Sequence, residues 1–147
     1  MPERAVPRGY ILAFDFGLRR IGVAVGQATT RTATGVKTVA NGAEPDWAAL
    51  DRLLRDWQPQ LLVVGLPLGP EGDETDMSRA ARRFGSALGV RYDLEVEYVD
   101  ERLTSRAAES RFADLRAAGR LRRKDAGQLD AISAQIILEN WLQSAHG

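Results

Sequence analysis

The chain of 147 residues contains no cysteine, which excludes disulfides, thiolate metal centres and cysteine nucleophiles together. Its single histidine, His146, stands one residue from the end, where chains are usually loosely held, so no histidine catalytic base is expected. Catalysis, if present, must rest on carboxylates, hydroxyls, Lys or Arg. No apolar run reaches the roughly 18 to 20 residues of a membrane span. The opening segment MPERAVPRGY lacks the apolar core of a signal peptide, so a loose arm over residues 1–8 and a cytoplasmic location are expected. Net charge is lacking too: Lys+Arg and Asp+Glu number 20 each. A nucleic-acid-binding domain is usually basic, so any such role would need a local basic patch.

What is present suits one globular domain over residues 1–147, with a loose tail at 143–147. Tyr10 to Phe16, RIGVAVGQ (Arg20 to Gln27) and TGVKTVA (Thr34 to Ala40) read as strands joined by short links, which favours an antiparallel meander. In PDWAALDRLLRDW the period changes: Trp47, Leu50, Leu54 and Trp57 share a helical face, with Pro45 placed for the first turn. QLLVVGLP is a continuous apolar run, as in a strand covered on both faces. TDMSRAARRFGSALG reads as a helix capped by Thr75 and ended by Gly89, with Met77, Ala80, Ala81, Phe84 and Leu88 as its stripe. LEVEYVD alternates as a strand. TSRAAESRFADLRAAG and QLDAISAQIILENWLQ read as helices, separated by the basic loop GRLRRKDAG.

The order β-β-β-α-β-α-β-α-α predicts an α/β fold. Right-handed crossovers predict a five-stranded mixed sheet of order 3-2-1-4-5 with helices on both faces. This is the ribonuclease H-like arrangement, and it puts the first strand at the centre.

Asp15 stands in that first strand, in GYILAFDFG. A buried charge is costly unless paired or metal-bound. Its bland reading is a turn aspartate; the functional one is a metal ligand at the mouth of the sheet, with Gly17 allowing a tight turn beside it. Asp130 shares a helical face with Ala134, Ile137 and Trp141, and small Ala131 and Ala134 would let that helix approach the sheet. It reads either as a first-turn aspartate favoured by the helix dipole or as a second site carboxylate. Asp100 and Glu101 follow a strand end, where open sheets place ligands. Adjacent strand residues face opposite ways, so one of the two faces the site, and Glu101 is the choice. Its bland alternative is a solvated rim carboxylate. Three carboxylates without His or Cys suit Mg²⁺ or Mn²⁺, and such clusters drive phosphodiester hydrolysis.

FDFGLRRIGVAVG, VVGLPLGPEG, VDERLTS and LDAISAQIILENWL resemble, in order, the four motif blocks of the YqgF/RuvX family. The resemblance spans roughly residues 9 to 142. It implies a ribonuclease H-like fold related to the resolvase RuvC, and a cytoplasmic bacterial nuclease. The implied substrate is the 5′ end of precursor 16S rRNA, with Holliday-junction resolution on branched DNA as the alternative. By motif position it implies Asp15, Glu101 and Asp130 as the catalytic, metal-binding triad, and Arg19, Arg102 and Thr104 as further site residues. Two acids of RuvC-type resolvases are missing. The fourth strand carries Gly65 and Pro67 with no glutamate, and the position three before Asp130 is Gly127.

Arg20 follows the Asp15 strand and is a candidate for the scissile phosphate. Arg122, Arg123 and Lys124 precede the Asp130 helix and read either as a solvated loop or as a phosphate-binding one. The expected partner is structured or single-stranded RNA or branched DNA, bound by a monomer or weak homodimer. Two rival classes remain. Asp-x-Gly after a first strand also opens the phosphate hairpin of actin-like ATPases, which need a second domain. A catalytically weak nucleic-acid-binding module is the non-enzymatic alternative.

Overall fold

Strand β1 (Tyr10–Phe16) lies at the centre of a five-stranded sheet of order β3-β2-β1-β4-β5, as the sequence predicts. A computed structural model of the chain describes residues 9–103 and 126–146. β2 (Arg20–Gln27) and β3 (Thr32–Ala40) extend the sheet antiparallel on one side of β1. β4 (Leu61–Leu66) and β5 (Val96–Asp100) extend it parallel on the other. β4 is buried along its whole length, which explains its unbroken apolar run.

The two faces of β1 feed two cores. Leu12 and Phe14 pack with α1 (Trp47–Trp57) and α2 (Asp76–Tyr92) on one side. Ile11 and Ala13 pack with α3 (Ala126–His146) on the other. The α3 side is lined by small residues. A Cβ added at Gly22 would run into the backbone carbonyl of Asp130, and one at Gly35 would lie 2.7 Å from that of Ala131. The start of α3 therefore rests directly on the β2 and β3 backbones. Ala134, Ile137 and Trp141 are buried there, as their spacing with Asp130 requires.

Local boundaries differ from expectation in several places; β3 begins at Thr32 rather than Thr34, and α3 runs on to His146, into the segment 143–147 expected as a loose tail. Asp46 caps α1 by accepting the Ala49 N–H at 3.2 Å, which leaves Pro45 outside the first turn. Gly89 does not end α2. The helix runs to Tyr92 and ends at Asp93, which takes the left-handed conformation at φ 53°; aspartate tolerates this by local hydrogen bonding. The buried stripe of α2 is Ser78, Ala81, Phe84, Gly85 and Leu88, with Met77 and Ala80 at its margin. Thr75 caps α2 as expected, reciprocally with Ser78. The helix expected over TSRAAESRFADLRAAG and the basic loop after it lie outside the described residues. No described helix is long and apolar enough to cross a membrane.

Candidate active site

Asp15 is the next-to-last residue of β1 and shares the α3 face with Ile11 and Ala13. Across the β1–β2 ladder it pairs with Gly22, the residue on which the Asp130 backbone rests. This places the Asp130 end of α3 over the Asp15 end of β1. Asp130 bears on Asp15 electrostatically, its negative charge helping to raise the Asp15 pKa.

Glu101 is the first residue past β5 and opens a single 3-10 turn, Glu101–Leu103. Strand alternation turns Asp100 toward the other side, where its carboxylate is held by Arg102 at 2.6 to 3.1 Å. Because β4 lies between β1 and β5, Glu101 must cross one strand to reach Asp15. It does so over Gly65. A Cβ at that position would lie 2.5 Å from Glu101 Oε1 and 3.0 Å from its Cγ. Any side chain at 65 would displace Glu101 from its present position. An acid at position 65 would thus compete with Glu101 for one space.

The carboxyls of Asp15 and Glu101 are hydrogen-bonded to each other. Burial, then the Asp15 charge, then this hydrogen bond push Glu101 up to about 9. Burial also raises Asp15, and Asp130 adds to it, while the hydrogen bond from Glu101 offsets part of the rise. Glu101, pushed up to about 9, keeps its proton at neutral pH and donates it toward Asp15. This is how two carboxyls occupy one desolvated site without two full charges.

Asp130 is held differently. Its Oδ2 lies 2.8 Å from Arg20 Nε, with the two side chains 27% and 52% exposed. The Nε–H does not point at the oxygen, and Oδ2 is buried without a hydrogen-bond partner. The pair supplies charge compensation, and the oxygen keeps its acceptor capacity. An orphaned acidic oxygen beside two hydrogen-bonded acids is a donor set of the kind a hard divalent cation takes. The fit is one of chemistry; among the described residues no three acids stand close enough to hold an ion together.

The expected basic residues separate. Arg20 reaches Asp130, and Arg19 lies in the exposed β1–β2 turn. Arg102 is bound within the chain, to Asp100 and to the Pro70 carbonyl at 3.1 Å. Thr104, Arg122, Arg123 and Lys124 lie outside the described residues. One residue escaped sequence reasoning. Asn41, just past β3, donates its side-chain Nδ2 to the Gly17 carbonyl at 2.6 Å and its backbone N–H to that of Arg19 at 2.9 Å. It clamps the turn that follows Asp15. No local pattern signals this, because the contact spans 24 residues. A cavity of about 410 Å³ lined by Asp51, Leu54, Arg55, Gln58, Pro59, Tyr92 and Leu94 lies on the α1–α2 side, away from the acids.

The RuvX family profile, described as Holliday junction resolvase, matches residues 9–144. The chain belongs to the RuvX family. A relative from Xylella fastidiosa is 50% identical over 97% of this chain and 94% of its own length. One from Aeromonas hydrophila is 44% identical over 93% and 96%. Both are named as candidate pre-16S rRNA nucleases. Among solved structures, Thermus thermophilus RuvC in complex with a Holliday junction substrate superposes with a TM-score of 0.55 at 15% identity, covering 95% of this chain and 97% of that one. The yeast mitochondrial Holliday junction resolvase Ydc2 gives 0.50 at 11%, covering 96% and 80%. At such identities the likeness is one of fold, and it places this RuvX chain in the ribonuclease H-like class expected from strand order.

Proposed function

We propose that this RuvX protein is a divalent-metal-dependent nuclease that cleaves phosphodiester bonds at the 5′ end of precursor 16S rRNA, in the cytoplasm. The observation that carries this reading is the hydrogen-bonded Asp15–Glu101 pair beneath the Asp130 end of α3. It sits in a chain half identical to a relative named for that activity.

Asp15, Glu101 and Asp130 would hold the cation, Mg²⁺ or Mn²⁺. When bound, such an ion lowers the pKa of a water to make a nucleophile and stabilises the leaving oxygen. Glu101 must then release its proton, because only the carboxylate is a ligand. Arg20, which lies 2.8 Å from Asp130, would contact the scissile phosphate beside the ion. Arg19, Thr104, Arg122, Arg123 and Lys124 belong to the proposed substrate contacts, which grip the backbone of a polyanion without reading bases.

Resolution of four-way junctions is the second reading, favoured by the family's description and the RuvC-like fold. The glycine at 65 weighs against it, since an acid at that position would displace Glu101 from its present place. The test is cleavage of a precursor 16S fragment, a four-way DNA junction and plain single strands, each with Mg²⁺, Mn²⁺ or chelator. Metal-dependent cleavage of the precursor, abolished by Asp15→Asn with the melting temperature held or raised, supports the proposal. Junction cleavage without precursor cleavage selects the second reading, and retained activity in Asp15→Asn removes the acidic pair from the chemistry.

A further inference from the structure

We propose that Arg102 is a positioning residue: a strut that fixes the backbone on both sides of Glu101 and ties it to the β4–α2 loop, rather than a contact to substrate phosphate. The proposal rests on the nuclease reading above. It concerns what holds the crossing carboxylate in place.

Glu101 stands between the two residues that form the strut. The Arg102 N–H donates to Asp100 Oδ1 at 2.9 Å, an Asx turn that closes around Glu101. The Arg102 side chain returns to the same carboxylate. Nε lies 2.9 Å from Asp100 Oδ2 and Nη2 lies 2.6 Å from it. The peptide bonds either side of Glu101 are thereby held within one ring of hydrogen bonds. That ring makes the 3-10 turn that sends Glu101 toward α3 and Asp100 the other way.

The third arm of the guanidinium reaches a different segment. Nη1 donates to the Pro70 carbonyl at 3.1 Å. The loop there is a tight turn, with the Gly69 N–H bonded to the Asp73 carbonyl at 2.8 Å and the Gly72 N–H to that of Gly69 at 2.9 Å. Gly72 has φ +85°, and a Cβ on it would lie 3.3 Å from Arg102 Nη2, so the loop backbone comes directly against the guanidinium. The same loop begins just after Gly65, over which Glu101 crosses. One arginine thus links the base of Glu101 to the strand exit beneath its tip.

Only arginine does this. Its planar fork presents donors in three directions, while lysine has a single ammonium point. Lysine at 102 would keep a charge for a phosphate and lose the simultaneous grip on Asp100 and Pro70. Two of the five guanidinium N–H groups remain outside these bonds, so a phosphate contact is a real competitor and the experiment must separate the two.

The test compares Arg102→Lys, Arg102→Ala, Asp100→Ala and the double change Arg102→Ala with Asp100→Ala. Two readouts are taken: single-turnover cleavage of a labelled precursor 16S fragment, and binding of a labelled single-stranded RNA across salt, with Ca²⁺ replacing the catalytic metal. A strut predicts that all three single variants lose cleavage rate by about tenfold to hundredfold, the cost of a misplaced group. Affinity and salt slope stay unchanged, and the double variant is no worse than a single one. A phosphate contact predicts the reverse. Arg102→Ala would weaken binding and flatten the salt slope by about 0.7, Arg102→Lys would largely rescue, and Asp100→Ala would leave cleavage intact; that pattern overturns the proposal. Amide exchange at Gly69 and Gly72 gives a readout that does not depend on cleavage. Exchange faster by about tenfold in Arg102→Lys, for a lost hydrogen bond from a charged group, upholds the strut even if no substrate is cut. Unchanged exchange with unchanged cleavage rejects it.

Discussion

Glu101→Gln isolates the proton held by the acidic pair. Gln is nearly isosteric, crosses Gly65 in the same way, and keeps a donor toward Asp15. In the wild-type protein the Glu101 pKa rises from 4.5 unfolded to about 9 folded. A raised folded pKa means the folded state binds more protons between those two values. Stability is therefore highest below the unfolded pKa and falls as pH rises toward the folded one. The limiting slope is about 1.4 kcal/mol per pH unit, so moving from about pH 5.5 to about pH 8 costs up to about 3 kcal/mol. The background is favourable. The sequence has one His and no Cys to titrate in that window. Asp51, Glu74 and Asp100 are held below the usual carboxylate range by Arg91, Arg82 and Arg102. Urea unfolding of the metal-free protein at the two pH values measures the slope. Glu101→Gln should lose more than half of it and be the more stable protein at pH 8. An equal slope in both proteins would mean that Glu101 carries no extra proton, and the paired-acid description of the site would fail.

Three further outcomes are expected. Gly22→Ala drives a Cβ into the Asp130 carbonyl and should destabilise by about 1–3 kcal/mol or more, as overpacking does; Gly42→Ala, which meets nothing within 4 Å, should be neutral or slightly stabilising, and paired urea melts decide. Asn41→Ala removes the side-chain bond to the Gly17 carbonyl and should cost about 1 kcal/mol in the same assay, with a larger fractional loss of cleavage than of RNA affinity. Changing both Arg122 and Arg123 to Ala should flatten the log–log salt dependence of single-strand binding by about 0.7 for each phosphate contact removed, equally across sequences.

Strand order, the central place of β1 and the buried face of α3 were legible in the sequence because they follow from local periodicity and short connections. β4 could be recognised as a buried strand for the same reason: a run apolar on both faces has nowhere else to go. Alternation within the VDE segment said that Asp100 and Glu101 face opposite ways without saying which of them faces Asp15, and the structure turns the two apart with Glu101 toward Asp15. Helix ends were less legible. Asp93 rather than Gly89 ends α2, because aspartate too can adopt the left-handed cap.

Only the tertiary structure decided how the acids meet. Glu101 reaches Asp15 by passing over a glycine of the one strand between them, and Gly65 read from the sequence alone is a gap in the expected acid set rather than a path for another side chain. Gly22 is likewise an unremarkable strand residue until the α3 backbone is laid on it. Asn41 and Arg102 acquire their roles from partners far along the chain, at the Gly17 and Pro70 carbonyls. The reason is common to all four. A periodic pattern reports which way a residue faces, whereas close approach between backbones and bonds between distant segments depend on the packed distance between elements, which no single segment encodes.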